Sequence, residues 1–162
     1  MKEISNEKTF YEMAETVFRE RKEKLETLKK REKEEELKRR EEKITRIAKI
    51  CLEIFSESTK HAQNSQDFVT QIYIRITFYD GIAVGSDCEI VTSNSKCYNT
   101  EECSNTPNYK YLGEYLAKIR SANLTNEDLG EIDRYFLKTN GFYTRHYGDA
   151  CSETLIIGIK EK

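Results

Sequence analysis

The sequence predicts an α+β protein, in which a long, charged N-terminal helix precedes a small domain of about four mostly antiparallel strands with two helices, in the order α-ββ-αα-ββ. Three observations support this prediction. The first glycine of the 162-residue chain is Gly81 and its only proline is Pro107, so no residue before them breaks a helix. Residues 19–46 carry 13 Lys or Arg and 9 Glu in close alternation. From Phe68 onward the pattern changes to the two-residue period of strands.

The charged run is expected to be helical without support from a core. Glu20 stands four residues before Lys24, and several other Glu residues stand in the same favourable order before Lys or Arg. Each such pair adds only about 0.2–0.5 kcal/mol, but many of them together hold a solvated helix. We therefore predict a helical arm over residues 1–66 and an α+β domain over residues 67–162.

Apolar residues of the arm gather near its two ends, at the three- and four-residue spacing of one helix face. The first set is Phe10, Met13, Val17 and Phe18, and the second is Ile44, Ile47, Cys51, Ile54 and Phe55. We expect the second set to enter the core of the domain. The first set lies about 45 Å farther along a straight helix, so we expect it to contact another chain and to make the protein a homodimer. Charged residues interrupt the heptad seam between the two sets, which indicates pairing at the ends and not a continuous zipper.

Residues 68–92 are typical of a β-hairpin. The apolar residues Ile72, Ile74, Ile76 and Phe78 alternate with other types, and Ile82, Val84, Cys88 and Ile90 continue the alternation on the return. A half-buried strand requires this period of two. To keep the returning apolar residues on the buried face, we predict a three-residue loop over residues 79–81 that pairs Phe78 with Ile82.

The rest of the domain is expected to hold two helices and two closing strands. Residues 93–107 are polar and predict a loop. Thr106 and Pro107 are expected to open one helix, and Thr125 with Asp128 to cap the next. Strand patterns follow over residues 142–147 and 154–160.

Tyrosine and arginine occupy outward positions of two predicted strands. They are Tyr73, Arg75 and Tyr79 on the first strand and Tyr143, Arg145 and Tyr147 on the third. If the two strands are neighbours, one sheet face carries several aromatic rings and two guanidinium groups. That composition is typical of protein-binding hot spots and of base-stacking surfaces alike. The structural alternative is that a helix covers this face and the tyrosine hydroxyls are satisfied at its edge.

The cysteines and histidines indicate little catalytic chemistry. Five cysteines, an odd number, without a signal peptide argue against a disulfide framework. Cys97, Cys103 and Cys151 fall on predicted loops, and with His146 they form one alternative, a zinc site, although the spacing of the first two lacks the short knuckle. Cys151 with His146 as thiol and base is a second alternative. We expect no cofactor, no metal and no enzymatic activity, and keep a small zinc- or thiol-dependent enzyme as an alternative.

Charge, composition and length limit the kinds of partner, compartment and site that we expect. The net charge of −2 and the pI near 5.9 argue against bulk binding to a polyanion. The N-terminal residues lack the apolar core of a signal peptide, and no stretch is apolar enough to cross a bilayer. We therefore expect a cytoplasmic protein with no membrane partner. Roughly 95 residues of domain leave room for one small core and not for a large catalytic cleft.

These observations predict a non-enzymatic interaction protein, dimeric through its arm, that binds a host or partner protein and can inhibit it, as small accessory or phage-encoded proteins do. Frequent Lys, Glu, Asn and Ile are typical of AT-rich bacteria and their phages. The alternative is a nucleic-acid-binding protein that uses the Tyr/Arg face and the arm, because residues 19–46 have a net charge of +4 from 13 basic and 9 acidic residues.

Overall fold

The computed structural model describes residues 2–62 and 67–161, with side chains from Thr9 onward. The chain divides into two compact units, Met1–Glu42 and Lys43–Lys162. We call them the N-terminal unit and the C-terminal unit.

Helix α1 spans Lys2–His61 and confirms the predicted long helix. It supplies the N-terminal unit, and its later turns belong to the C-terminal unit. In the N-terminal unit nearly every described side chain is exposed. Its stability therefore comes from local interactions, chiefly the order of charges along the helix. The hydroxyls of Thr16 and Thr27 are likewise satisfied locally, because they donate to the carbonyls of Glu12 and Glu23.

The C-terminal unit is an antiparallel sheet with helices. After α1 its elements are β1 (Val69–Tyr79), β2 (Ile82–Thr92), β3 (Cys97–Asn99), α2 (Thr100–Asn105), a 3-10 turn (Pro107–Tyr109), α3 (Lys110–Arg120), α4 (Asn126–Leu137), β4 (Phe142–Gly148) and β5 (Ser152–Ile159). The strand order is β3-β2-β1-β5-β4, and every neighbouring pair is antiparallel. The predicted α+β class is confirmed, with five strands in place of four. Across the described part of the chain, no helix combines the length and the apolar character needed to cross a bilayer.

The core lies between the helices and one face of the sheet, which we call the inward face. Ile72, Ile74 and Ile76 of β1 are at most 1% exposed on that face. Ile47 and Ile54 of α1 belong to the same cluster and are fully buried. Helices α3 and α4 add Leu112, Leu116, Ile119, Leu129, Ile132 and Phe136. The second apolar set of the arm is buried at every position, which confirms that it enters this core.

The predicted hairpin is present, but the predicted loop is wrong. β1 and β2 are joined by a two-residue turn of Asp80 and Gly81, and Tyr79 pairs with Ile82. Both turn residues have positive φ, 50° and 77°. An Asp-Gly pair favours this turn because its twist matches that of antiparallel strands.

A β-bulge then restores the phase of β2. The register shifts by one residue at Val84, between the pairs Thr77–Gly85 and Phe78–Ala83. An extra residue on one strand reverses which side chains face the core. The later apolar residues of β2 therefore return to the inward face, whereas Val84 is exposed. The predicted three-residue loop gave the correct buried face for the far end of β2. In the structure a two-residue turn and a bulge produce that phase instead.

The segment predicted as a loop, residues 93–107, contains β3 and α2. Asn99 caps α2: its side chain accepts a hydrogen bond from the N–H of Glu102 at 2.8 Å, and the Glu102 carboxylate accepts one from the N–H of Asn99. This reciprocal pair is a capping box. The polar composition of the segment predicted a loop and did not indicate this capped helix.

The predicted cap of α4 is confirmed. The Thr125 hydroxyl accepts a hydrogen bond from the N–H of Asp128 at 3.2 Å, and the Asp128 carboxylate accepts one from the N–H of Thr125 at 3.0 Å. Lys43 of α1 donates to the same carboxylate at 3.0 Å. Burial acts to raise the pKa of Asp128, but the hydrogen bonds from Thr125 and the ammonium group of Lys43 outweigh it and lower the pKa below its ordinary value.

Candidate functional site

The face of the sheet opposite the core carries the predicted tyrosines and arginines. Side chains alternate across a strand, so the inward isoleucines of β1 leave its other residues facing out. The outward set is Gln71, Tyr73 and Arg75 on β1, Thr154, Ile156 and Gly158 on β5, Tyr143, Arg145 and Tyr147 on β4, and Asp87 and Glu89 on β2. We call this set the outer face. The two predicted groups share it except for Tyr79, although β5 lies between their strands.

Within the described residues of the C-terminal unit, the helices pack on the inward face and leave the outer face without one. Phe55 of α1, for example, contacts Phe142 on the inward face, with ring centroids 5.3 Å apart. The alternative in which a helix covers the tyrosines is therefore wrong for this unit. Ile156 is nevertheless only 5% exposed on the outer face, where it stands between Tyr73 and Arg145 in register. The long side chains of its neighbours shield it.

Two tyrosines are held in place by a glutamine. Gln71 donates from Nε2 to the hydroxyl of Tyr143 and accepts a hydrogen bond from the hydroxyl of Tyr73 at 3.5 Å. The ring of Tyr143 crosses β5 at Gly158, where an added Cβ would overlap it. Burial raises the pKa of Tyr73, and the nearby phenol of Tyr147 adds to the rise. Tyr73 and Tyr143 are thus oriented side chains, and such fixed aromatic groups make a pre-organised contact surface.

The charges of the outer face are balanced. Arg75 stands opposite Asp87 in register, and its Nε lies 3.4 Å from the hydroxyl of Thr154. Glu89 stands opposite Tyr73, two residue pairs farther along. Two carboxylates therefore accompany the two guanidinium groups, and the outer face has no excess of positive charge with which to attract phosphates.

Tyr79 lies apart from the other predicted tyrosines. The pairing of β1 with β5 ends at Thr77 and Ser152. Tyr79 stands beyond it, beside the turn, with 72% of its surface exposed. The hairpin therefore extends past the outer face, and Tyr79 belongs to its tip.

The first apolar set of the arm is on the N-terminal unit. Phe10, Met13, Val17 and Phe18 are between 46% and 69% exposed. Exposed aromatic side chains in a row on a helix are unusual unless something covers them. The N-terminal unit therefore carries a second candidate binding surface.

The sequence did not reveal the partners of His146. His146 lies on the inward side of β4, as the alternation from Phe142 indicates. On that side its Nε2 hydrogen bonds with Glu153 of β5. Its Nδ1 lies 3.6 Å from a carboxylate oxygen of Asp133 on α4. Asp133 also accepts a hydrogen bond from the Thr144 hydroxyl. An imidazole between two carboxylates is oriented by them, so His146 joins β4, β5 and α4.

Cys151 is not the partner of that imidazole. It is exposed in the turn between β4 and β5, where its N–H donates to the carboxylate of Asp149 at 2.8 Å. A thiol nucleophile needs an oriented base within hydrogen-bond reach. The hydrogen-bond partner of His146 is Glu153, so the predicted thiol–base pair is not formed.

An open cleft of about 490 Å³ lies beside His146. It is lined by Phe78, Gly81, Asn126, Tyr147, Gly148, Asp149, Ala150 and Glu153. Tyr147 belongs both to this cleft and to the outer face. The cleft therefore adjoins the outer face at Tyr147 and carries polar groups that can hydrogen bond to a partner.

The predicted zinc ligands do not come together. Cys97 is on β3 and His146 on β4, which form opposite edges of the five-stranded sheet. At about 4.8 Å per strand they are roughly 19 Å apart. Cys103 is buried in α2, where burial raises the pKa of its thiol to about 12. Among the described residues, no three His, Cys, Asp or Glu side chains are placed to hold a metal ion.

Comparison with known proteins found no matching family model, no matching curated protein and no matching solved structure.

Proposed function

We propose that this protein is a non-enzymatic binding protein that acts on another protein. The outer face of the sheet binds the partner, and the N-terminal unit joins two copies. The observation that carries the proposal is the outer face, because hydrogen bonds orient its Tyr73, Arg75 and Tyr143 side chains while no described helix of the C-terminal unit packs on it. A protein of this kind acts by occupying its partner's surface, and inhibition follows where that surface is functional.

The composition of the outer face suits a protein partner. Tyrosine and arginine are enriched among the residues that carry most of the energy of protein interfaces. Arg75 is accompanied by Asp87, and such balanced pairs give electrostatic complementarity with another mixed surface. A nucleic acid would instead bring phosphates toward Asp87 and Glu89.

The exposed free thiols suit the reducing environment of the cytoplasm. Cys97 and Cys151 are exposed and unpaired, and free surface thiols persist where glutathione and thioredoxin keep them reduced. We propose that the protein works in that compartment.

Affinity capture from a lysate of the native host tests the proposal. The tagged wild-type chain is compared with the double variant Arg145→Glu with Tyr147→Ala, which removes two outer-face contacts. Lys138→Glu serves as the matched control, because it makes the same charge reversal at an exposed residue at the end of α4. We expect a protein that the wild type and Lys138→Glu retain and that the double variant loses.

Retention that the double variant leaves unchanged would contradict a role for the outer face. Retention that disappears when the lysate is treated with nuclease would point to a nucleic acid in place of a protein.

A nucleic-acid-binding function is the second candidate, and one observation favours it. Residues 19–46 have a net charge of +4 from 13 basic and 9 acidic residues, and the described side chains there are almost all exposed. Binding through phosphate contacts releases counterions and weakens steeply with salt. Fluorescence polarisation with single-stranded DNA and RNA at 50 and 200 mM salt checks it, and absence of binding at the lower salt concentration removes this candidate.

A further inference from the structure

One side of α1 in the N-terminal unit carries a coiled-coil-like seam. Its members alternate at spacings of three and four residues: Tyr11, Ala14, Phe18, Arg21, Leu25 and Leu28. We call them the N-terminal stripe. Its four large apolar side chains are 52–69% exposed. Such spacing is that of the core positions of a coiled coil, and at 1.5 Å per residue the stripe is about 26 Å long.

The stripe has a definite end. The next two positions on the same side of the helix are Glu32 and Glu35, and carboxylates are poor seam residues. Whatever covers the stripe must therefore match its length and must be apolar at both ends.

We infer that the N-terminal stripe binds the same stripe of a second copy, with the two helices antiparallel. This inference rests on the self-association proposed above and adds its surface and its direction. In this arrangement Tyr11 meets Leu28 of the second copy, and Ala14 meets Leu25 of the second copy. The stripe is complementary to itself from end to end, as a two-fold symmetric interface requires.

The residue at the middle of the stripe decides the direction. In a parallel pair each seam residue meets its own counterpart, so Arg21 of one copy would face Arg21 of the other within the seam. In the antiparallel pair Arg21 meets Phe18 of the second copy. A guanidinium group over an aromatic ring is a favourable contact, whereas two facing guanidinium groups repel each other.

The charges that flank the stripe favour the same direction. The antiparallel pair brings Glu15 beside Lys22 of the second copy, and symmetry repeats this attraction. The parallel pair brings Lys24 beside Lys29 of the second copy, and symmetry repeats this repulsion. A favourable parallel contact, Arg31 with Glu36, falls beyond the end of the stripe. So does an unfavourable antiparallel contact, Lys29 with position 8, which is also a lysine.

Sedimentation equilibrium tests whether the stripe is the interface. The wild-type chain of 19.1 kDa should sediment as two chains at micromolar concentration. Leu25→Glu places a carboxylate against Ala14 of the second copy and should reduce the mass to one chain. Leu37→Glu is the matched control, because Leu37 is 59% exposed but lies on the other side of the helix. It should leave the dimer intact.

Disulfide trapping tests the direction. The exposed Cys97 and Cys151 are first replaced by Ser, and A14C and L25C are then made in two separate chains that carry different tags. The two chains are mixed, allowed to exchange and oxidised. The antiparallel pair predicts a cross-link between the A14C chain and the L25C chain, and little cross-linking of either chain alone.

The outcomes separate the two levels of the inference. A wild-type monomer at high micromolar concentration overturns the self-association and the direction together. A dimer in which A14C cross-links to A14C keeps the self-association and overturns the antiparallel direction. A dimer that Leu25→Glu leaves intact overturns the stripe as the interface.

Discussion

Replacing Ile47 by Ala gives the most direct test of where the structural core begins in α1. Ile47 is fully buried, in contact with the core of the C-terminal unit. The substitution removes three carbon atoms, which are worth about 0.8 kcal/mol each in transfer free energy. The cavity left behind adds to the loss, so we expect the free energy of unfolding to fall by about 3–4 kcal/mol. A loss of that size is a large part of the 5–15 kcal/mol typical of a whole domain.

The measurement is equilibrium unfolding in urea, followed by the fluorescence of the tyrosines, because the chain has ten Tyr and no Trp. Leu37→Ala is the control: this leucine is 59% exposed on the N-terminal unit, and its loss should change the stability by less than about 0.5 kcal/mol. The reasoning fails if Leu37→Ala costs as much as Ile47→Ala, or if Ile47→Ala costs less than about 1 kcal/mol.

Three further predictions concern single contacts of the C-terminal unit. Gly158→Ala should displace the Tyr143 ring that lies across it and cost about 1–3 kcal/mol by urea unfolding, and removing that ring first with Tyr143→Ala should relieve most of this cost. Asp128→Asn should lose about 1 kcal/mol of stability at neutral pH through the weakened cap. Because the pKa of Asp128 is lower in the folded chain than in the unfolded chain, the unfolded chain takes up the proton first, so this difference should shrink as the pH falls below about 4 in a series of urea titrations. Of the five cysteines, the exposed Cys97 and Cys151 should react rapidly with a thiol reagent, and the other three only as fast as the unit opens, which a time course of thiol labelling with and without urea resolves.

Local signals predicted the parts of the fold that depend on neighbours in the chain. The long helix follows from charge order and the lack of Gly or Pro before residue 81. The cap of α4 follows from Thr125 and Asp128, because a capping box involves residues only three apart. The burial of Ile47 and Phe55 follows from their spacing on one helix face.

Features that depend on pairing between distant residues were predicted less well. The hairpin loop was wrong because a bulge at Val84 shifts the phase of β2, and the phase alone does not distinguish a bulge from a longer turn. The strand β3 is three residues long and pairs with β2, which its polar sequence does not indicate. The position of β5 between β1 and β4 is likewise a matter of topology.

The candidate sites likewise combine features set by local sequence with features set by tertiary packing. The sequence by itself determined that the tyrosines and arginines of two strands alternate with other residues and so lie on one side of each strand. It also determined that apolar residues recur along the start of α1. Both follow because alternation and helical spacing are properties of the backbone. Only the tertiary structure decided that both strands present these residues on one face, that Gly158 lets Tyr143 reach Gln71, and that His146 lies between Asp133 and Glu153. These contacts join residues far apart in the chain, and the packing of the sheet and the helices brings them together.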